Sequence, residues 1–273
     1  MKILVTGAKG MFGQDLCPIL EDEEFEVVET SLDNLDITNL KQVQKVLTAE
    51  MPNYVIHCAA YTDVDGAETD LETATLINVT GTENIAKVCG ENGITLVYVS
   101  TDYVFDGTKK EAYLPEDETN PINNYGLTKL QGEEAVKTFC KKYYIVRTSW
   151  LYGHHGKNFV ETMISLAEKP ELKVVDDQTG CPTWTVELAS GIITIIDDEA
   201  PYGIYHVCGT GETSWYEFAK EIFKQMGLKV NLKPCTTEEF PRPAKRPQHS
   251  SMNNQKLCRN WKVALKDYLE LRD

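Results

Sequence analysis

Short apolar runs punctuate the chain at positions 3–5, 26–28, 54–57, 95–99, 144–147, 172–175 and 204–207. Each is too short for a helix and nearly continuous in its apolar character, as strands buried on both faces are. Longer amphipathic stretches at 10–20, 40–49, 71–92, 126–140, 159–167 and 186–196 lie between them and read as helices. A parallel strand pair needs a crossover, and a helix supplies it, so this alternation predicts an α/β protein with a parallel sheet. The expected fold is a Rossmann-type doubly wound sheet with right-handed crossovers.

Past Gly209 the pattern changes. A helical stretch at 214–226 is followed by Phe240-Pro-Arg-Pro-Ala-Lys-Arg-Pro247, rich in proline and cations. The division expected is a larger domain over 1–149, rejoined by 172–209, with a smaller lobe formed by 150–171 and 210–273.

Charge narrows the partners. The sequence holds 42 acidic and 27 basic residues, a formal charge of −15, which repels nucleic-acid backbones and anionic membrane surfaces. No apolar run approaches the roughly 18 residues of a membrane span. The opening Met1-Lys2-Ile-Leu-Val-Thr6 reads as a buried strand, too short for a secretory leader. Eight cysteines are scattered without a Cys-x-x-Cys pair or histidines at ligand spacing. No metal site is expected, and a reducing, cytoplasmic setting is.

The first apolar run leads into Gly7-Ala-Lys-Gly10-Met-Phe-Gly13, a Gly-x-x-Gly-x-x-Gly turn that opens a helix. Glycines let the backbone turn tightly and approach a pyrophosphate, whose charge then meets exposed N–H groups and the positive end of the helix dipole. The same turn also serves as an ordinary strand-to-helix connection; its strand-turn-helix setting marks it as a dinucleotide site. After the second run comes Glu29-Thr-Ser-Leu-Asp33-Asn-Leu-Asp36-Ile37, with no cation before Lys41. A carboxylate there bonds ribose hydroxyls, whereas a 2′-phosphate needs a basic partner. NAD(H) is therefore favoured, and Lys9 inside the turn keeps NADP(H) open. Asp33 and Asp36 read equally well as turn or capping residues.

Tyr125-Gly-Leu-Thr-Lys129 places a phenol and an ammonium one helical turn apart on one face. The ammonium stabilises the phenolate and brings a group of pKa about 10 towards working range as an acid. Chance puts such a pair on many helices. What singles this one out is Ser100-Thr101-Asp102-Tyr103, delivered by the fourth run to the carboxyl edge of the sheet, where open α/β folds bind ligands. Thr101 can there hydrogen-bond a substrate carbonyl, although Thr101 and Asp102 also suit a simple turn. Thr101, Tyr125 and Lys129 are the candidate catalytic set.

Together with Cys58-Ala-Ala-Tyr-Thr-Asp-Val-Asp65, Asn78-Val79, Ser100 to Gly107, Arg147-Thr-Ser-Trp-Leu-Tyr-Gly153, Asp177-Gln-Thr-Gly-Cys-Pro-Thr183 and Arg242-Pro-Ala-Lys-Arg-Pro247, these motifs resemble the extended short-chain dehydrogenase/reductases. Within them the chain resembles the dTDP-4-dehydrorhamnose reductase branch over essentially its whole length. The resemblance implies a dinucleotide-binding domain and a substrate-binding lobe. It implies that Gly7, Gly10, Met11, Phe12 and Gly13 hold the cofactor pyrophosphate, that Asp36 and Ile37 flank the adenine, and that Ala59, Ala60, Tyr61, Thr62 and Val99 line the nicotinamide side with Tyr125 and Lys129. It also implies that Thr101, Asp102 and Trp150 contact the sugar. Among Arg242, Lys245 and Arg246, the densest basic stretch, at least one is expected to pair with the substrate diphosphate; a solvated basic loop is the plainer reading.

The implied activity is hydride transfer from NAD(P)H to C4 of a nucleotide-linked 4-keto-6-deoxy sugar, with Tyr125 as proton donor. Two alternatives stay beside it: an epimerase or dehydratase of the same fold, and a non-catalytic regulatory subunit, since fold does not fix function. Tyr103 stands where a dehydratase's Asp-Glu pair would need its second acid, and the retained Thr101, Tyr125 and Lys129 weigh against a regulatory role. The resemblance is also compatible with a homodimer.

Overall fold

The computed structural model describes residues 1–272, so the last residue assigned to the lobe, 273, lies outside the described residues. The first half runs β1 (Lys2–Thr6), α1 (Met11–Asp22), β2 (Glu26–Thr30), α2 (Leu40–Glu50), β3 (Tyr54–His57), α3 (Leu71–Thr75), α4 (Thr82–Asn92), β4 (Thr95–Thr101), α5 (Asn124–Phe139) and β5 (Tyr143–Thr148). There follow β6 (Leu151–Tyr152), α6 (Phe159–Ser165), β7 (Leu172–Val175), β8 (Thr179–Gly180), β9 (Thr183–Trp184), α7 (Thr185–Asp197), β10 (Gly203–His206), β11 (Thr213–Ser214), α8 (Trp215–Gln225), β12 (Leu232–Cys235) and α9 (Trp261–Glu270).

Six strands form one sheet in the order β2-β1-β3-β4-β5-β10, every pair parallel. This is the expected doubly wound α/β fold. Side chains alternate across it: Ile3 and Val5 pack with Leu16 and Leu20 of α1 and Ile192 of α7, while Leu4 packs on the other face with Leu47 of α2, Ile85 of α4 and Val136 of α5. Burying one such side chain contributes roughly 1.5–3 kcal/mol. Local signals agree with the packing. Asn39 caps α2 by accepting from the amides of Lys41 and Gln42, and Asn123 caps α5 by accepting from the Gly126 amide.

Three expectations change. Strand 172–175 does not return to the main sheet: β7 pairs with β12, and Leu172 and Val174 join the lobe core with Phe218, Ile222 and Leu265. The chain re-enters the larger domain only with α7 and β10, because the main sheet's edge beside β5 is taken by β10. The single helix read over 71–92 is α3, a π-helical turn at Leu76–Gly81, and α4. The lobe also gains α9, whose Trp261, Leu265 and Tyr268 close its core. Among the described residues, no helix is long and apolar enough to cross a membrane.

Candidate active site

Strand order reverses between β1 and β3, and a cleft of about 720 Å³ opens there, at the switch point where such sheets bind ligands. Gly7, Gly10, Met11, Phe12 and Gly13 border it. A Cβ on Gly13 would lie 2.4 Å from the Gly7 carbonyl oxygen, and one on Gly7, at φ +70°, would lie 2.8 Å from the Ala59 amide nitrogen. Only glycine lets the turn close this tightly on the loop after β3. Helix α1 starts at Met11 with Gly10 as its cap, and no side chain bonds its first amides. Uncapped N–H groups and the positive dipole end thus stand at the cleft, donors suited to a pyrophosphate.

Asp36 and Ile37 border the same cleft. Asp36 commits one oxygen to the Thr38 amide at 2.9 Å and hydroxyl at 2.7 Å, as a turn residue does, and the loop is pinned by buried Asn84, which donates to the carbonyls of Ile37 and Thr38 at 3.0 Å each. Lys9 forms an exposed ion pair with Asp33. The pairing raises the lysine pKa and lowers that of the aspartate.

Ala59, Ala60, Thr62 and Val99, the residues expected beside the nicotinamide, border the cleft, whereas Tyr61 is not on its lining. The Tyr61 amide donates to Asn78 Oδ1 at 2.8 Å, and Asn78 Nδ2 donates to the Tyr61 carbonyl at 3.1 Å and to Thr128 Oγ1 at 3.0 Å. Asn78 lies in the π-helical turn, a distortion that often accompanies functional sites, and it ties the 59–62 loop to α5. A π turn has no periodicity that separates it from an ordinary helix in sequence, so this role is not legible there.

The catalytic candidates converge. Tyr125 and Lys129 project from α5 to the end of β4, and both border the cleft with Thr101. Lys129 is 2% exposed; its Nζ donates to the Val99 carbonyl at 2.8 Å and stands 4.2 Å from the Tyr98 ring centre. Burial lowers its pKa to about 7, opposed by the charge of Glu133 and by Cys58. Tyr125 differs from the expectation of a lowered pKa. Burial pushes it up to about 12, against a lowering hydrogen bond from Thr101 and with a further rise from Asp102. Desolvation of the phenolate therefore outweighs the Thr101 hydrogen bond, and the Lys129 ammonium is itself buried and turned towards the Val99 carbonyl.

Asp102, 3% exposed, accepts from Ser250 Oγ at 2.6 Å and Thr101 Oγ1 at 3.1 Å. Burial lifts its pKa to about 7 despite these bonds. Trp150 borders the cleft in a left-handed backbone conformation, φ 47°, with its indole stacked 3.4 Å from that of Trp215 at the start of α8. Trp215 lines the cleft from the lobe, a contribution that its amphipathic stretch did not reveal.

Arg242 and Arg246 lie outside the cleft lining. Arg246 Nη2 bonds Asp65 Oδ1 at 2.9 Å, and Arg242 Nη1 is 3.7 Å from Asp65 Oδ2. Their segment is nevertheless held at the start of α5: Asn123 Nδ2 donates to the Lys245 carbonyl at 2.8 Å, and the Arg246 guanidinium stands 5.8 Å from the Tyr103 ring centre. Tyr103 in turn meets Tyr125 edge-on at 5.9 Å.

Residues 1–271 match the model of the RmlD substrate binding domain family. The chain is 48% identical to the dTDP-4-dehydrorhamnose reductase of Clostridium acetobutylicum, with a TM-score of 0.96 and 99% of each chain covered. It is 43% identical to the Bacillus anthracis enzyme of that name, solved in complex with NADP, with a TM-score of 0.95 and 98% of each chain covered. The Escherichia coli dTDP-4-dehydrorhamnose reductase is 37% identical, covering 98% of this chain and 94% of that one.

Proposed function

Because the chain belongs to the RmlD substrate binding domain family, that of the dTDP-4-dehydrorhamnose reductases, we propose that it is an NAD(P)H-dependent reductase acting on the C4 keto group of a dTDP-linked 4-keto-6-deoxy sugar, forming dTDP-L-rhamnose from dTDP-4-dehydro-L-rhamnose. The observation that carries this reading is the convergence of Thr101, Tyr125 and Lys129 on a cleft that also contains the glycine turn. A bound reduced nicotinamide supplies the hydride.

The protein's own residues do the rest. The α1 amides and the glycine turn hold the pyrophosphate, and Asp36 and Ile37 flank the adenine. Thr101 hydrogen-bonds the keto oxygen beside Tyr125, whose phenol, still protonated at neutral pH given its raised pKa, gives its proton to the developing alkoxide. Lys129 steadies the negative charge left on that oxygen. Asp102 and Trp150 position the sugar, and Arg242 with Arg246 meets the diphosphate. Reduction by freely exchanging cofactor separates this chemistry from that of an epimerase, which reuses a tightly held one. Stoichiometric oxidation of NADH or NADPH at 340 nm with dTDP-4-dehydro-L-rhamnose is expected; cofactor that binds without being consumed on that sugar contradicts the proposal.

For the cofactor, NADH is the preferred form and NADPH is also accepted. Asp33 and Asp36 supply carboxylates for ribose hydroxyls, while Lys9 can leave Asp33 for a 2′-phosphate. Lys9→Ala should therefore raise KM for NADPH and leave that for NADH nearly unchanged. An equal change for both cofactors removes Lys9 from this role.

A further inference from the structure

Three donors of the 242–246 segment converge on one carboxylate. Asp65 Oδ1 accepts from the Ala244 amide at 3.2 Å and from Arg246 Nη2 at 2.9 Å, and Arg242 Nη1 approaches Oδ2 at 3.7 Å. Two guanidiniums and an amide around a single anion form a cradle with more positive than negative charge, in a chain whose formal charge is −15. The carboxylate belongs to the segment after β3: Asp65 follows Thr62 and Val64, both on the cleft lining. Its side chain is 24% exposed, against 15% for Arg246 and 56% for Arg242. Partly exposed ion pairs of this kind are weak. A diphosphate carries more charge and offers paired oxygens to a guanidinium fork, so it competes well for the same donors.

We propose that Asp65 is a stand-in counter-ion, a carboxylate that keeps the Arg242 and Arg246 cradle formed in the free enzyme and is exchanged for the substrate's diphosphate on binding. The inference rests on the reading of these arginines as the diphosphate site. Exchange has a consequence that bracing alone lacks. The same carboxylate competes with the diphosphate of the product, so Asp65 weakens nucleotide binding at both ends of the cycle and speeds release. It makes the site responsive to the diphosphate without leaving two guanidiniums unpaired between turnovers.

The test is calorimetric titration of the NADH-loaded protein with dTDP, with thymidine as the phosphate-free control. In Asp65→Asn, which keeps the shape but not the charge, dTDP should bind roughly fivefold more tightly, thymidine equally, and KM and kcat for the keto sugar should fall together. Weaker or unchanged dTDP binding in Asp65→Asn overturns the exchange and makes Asp65 a brace for the segment. The double variant Arg242→Gln/Arg246→Gln separates the underlying reading: if it binds dTDP as the unmodified protein does, the arginines are not the diphosphate site and both conclusions fall. If it binds dTDP at least tenfold more weakly while Asp65→Asn shows no gain, only the exchange fails.

Discussion

Glu133 lies two helical turns beyond Tyr125 and one beyond Lys129, fully buried, with its carboxylate accepting from Arg147 Nε at 2.9 Å, Arg147 Nη2 at 2.7 Å and Ser100 Oγ at 2.6 Å. Replacing it by glutamine conserves volume but turns an amide NH₂ towards guanidinium donors. A buried guanidinium loses its counter-charge, and removing one member of such a pair costs about 3–5 kcal/mol. The lower end applies, because Arg147 keeps its bond from Nη1 to the Pro115 carbonyl at 3.2 Å and its place over the Phe105 ring. Against the usual total of about 5–15 kcal/mol, a loss of about 3 kcal/mol is a large fraction, and urea unfolding at neutral pH should register it as a lower midpoint with an unchanged slope. Glu133 also raises the Lys129 pKa against burial, so in Glu133→Gln the lysine loses its proton at lower pH and the alkaline limb of kcat moves down. The paired variant Glu133→Leu/Arg147→Met, with no buried charge, should recover much of the stability. A Glu133→Gln change below about 1 kcal/mol, with an unmoved pH profile, would refute both the energetic role of the pair and its link to Lys129.

Two further predictions concern the glycine turn and acid stability. Gly13→Ala puts a methyl group 2.4 Å from the Gly7 carbonyl oxygen, so NADH affinity by fluorescence titration should fall at least about tenfold; unchanged affinity would show that the turn opens without cost. His57 and His206 are buried with pKa values lowered to about 3 by desolvation, so unfolding takes up a proton at each as pH falls below about 6.5, and their stabilisation is full above that pH and lost towards 3. Asp102, raised to about 7, works in the opposite sense between about 4 and 7. The net of these three groups is one proton, a rise in stability of about 1.4 kcal/mol per pH unit from about 4 to 6. Urea midpoints across that range should follow it, and a His57→Asn variant showing the same slope as the unmodified protein would remove His57 from the cause.

The strand-helix alternation was legible because buried parallel strands advertise themselves as short continuous apolar runs, and the glycine turn because its close contacts admit no side chain. Tyr125, Lys129 and Thr101 were legible as a set, since helical spacing and the carboxyl edge of β4 bring them together. The sequence could not show that 172–175 pairs with 232–235, because an apolar run does not name its partner strand. Nor could it show the tertiary bonds of Asn78 and Asn84, whose side chains sit in helical stretches like any solvated amide. The Asp65 contact with Arg242 and Arg246 joins segments about 180 residues apart, a pairing that local pattern does not encode. The raised pKa of Tyr125 is hidden for a related reason: spacing reveals an ammonium nearby but not the burial that lifts the phenol.

The most direct test of the catalytic reading is Tyr125→Phe, assayed for NADH oxidation with dTDP-4-dehydro-L-rhamnose and, on the same protein, for NADH binding. Loss of the phenolic proton should cut kcat by about a hundredfold or more with the cofactor Kd within about twofold, since the ring still packs against Tyr103. Turnover close to that of the unmodified protein would contradict Tyr125 as the proton donor.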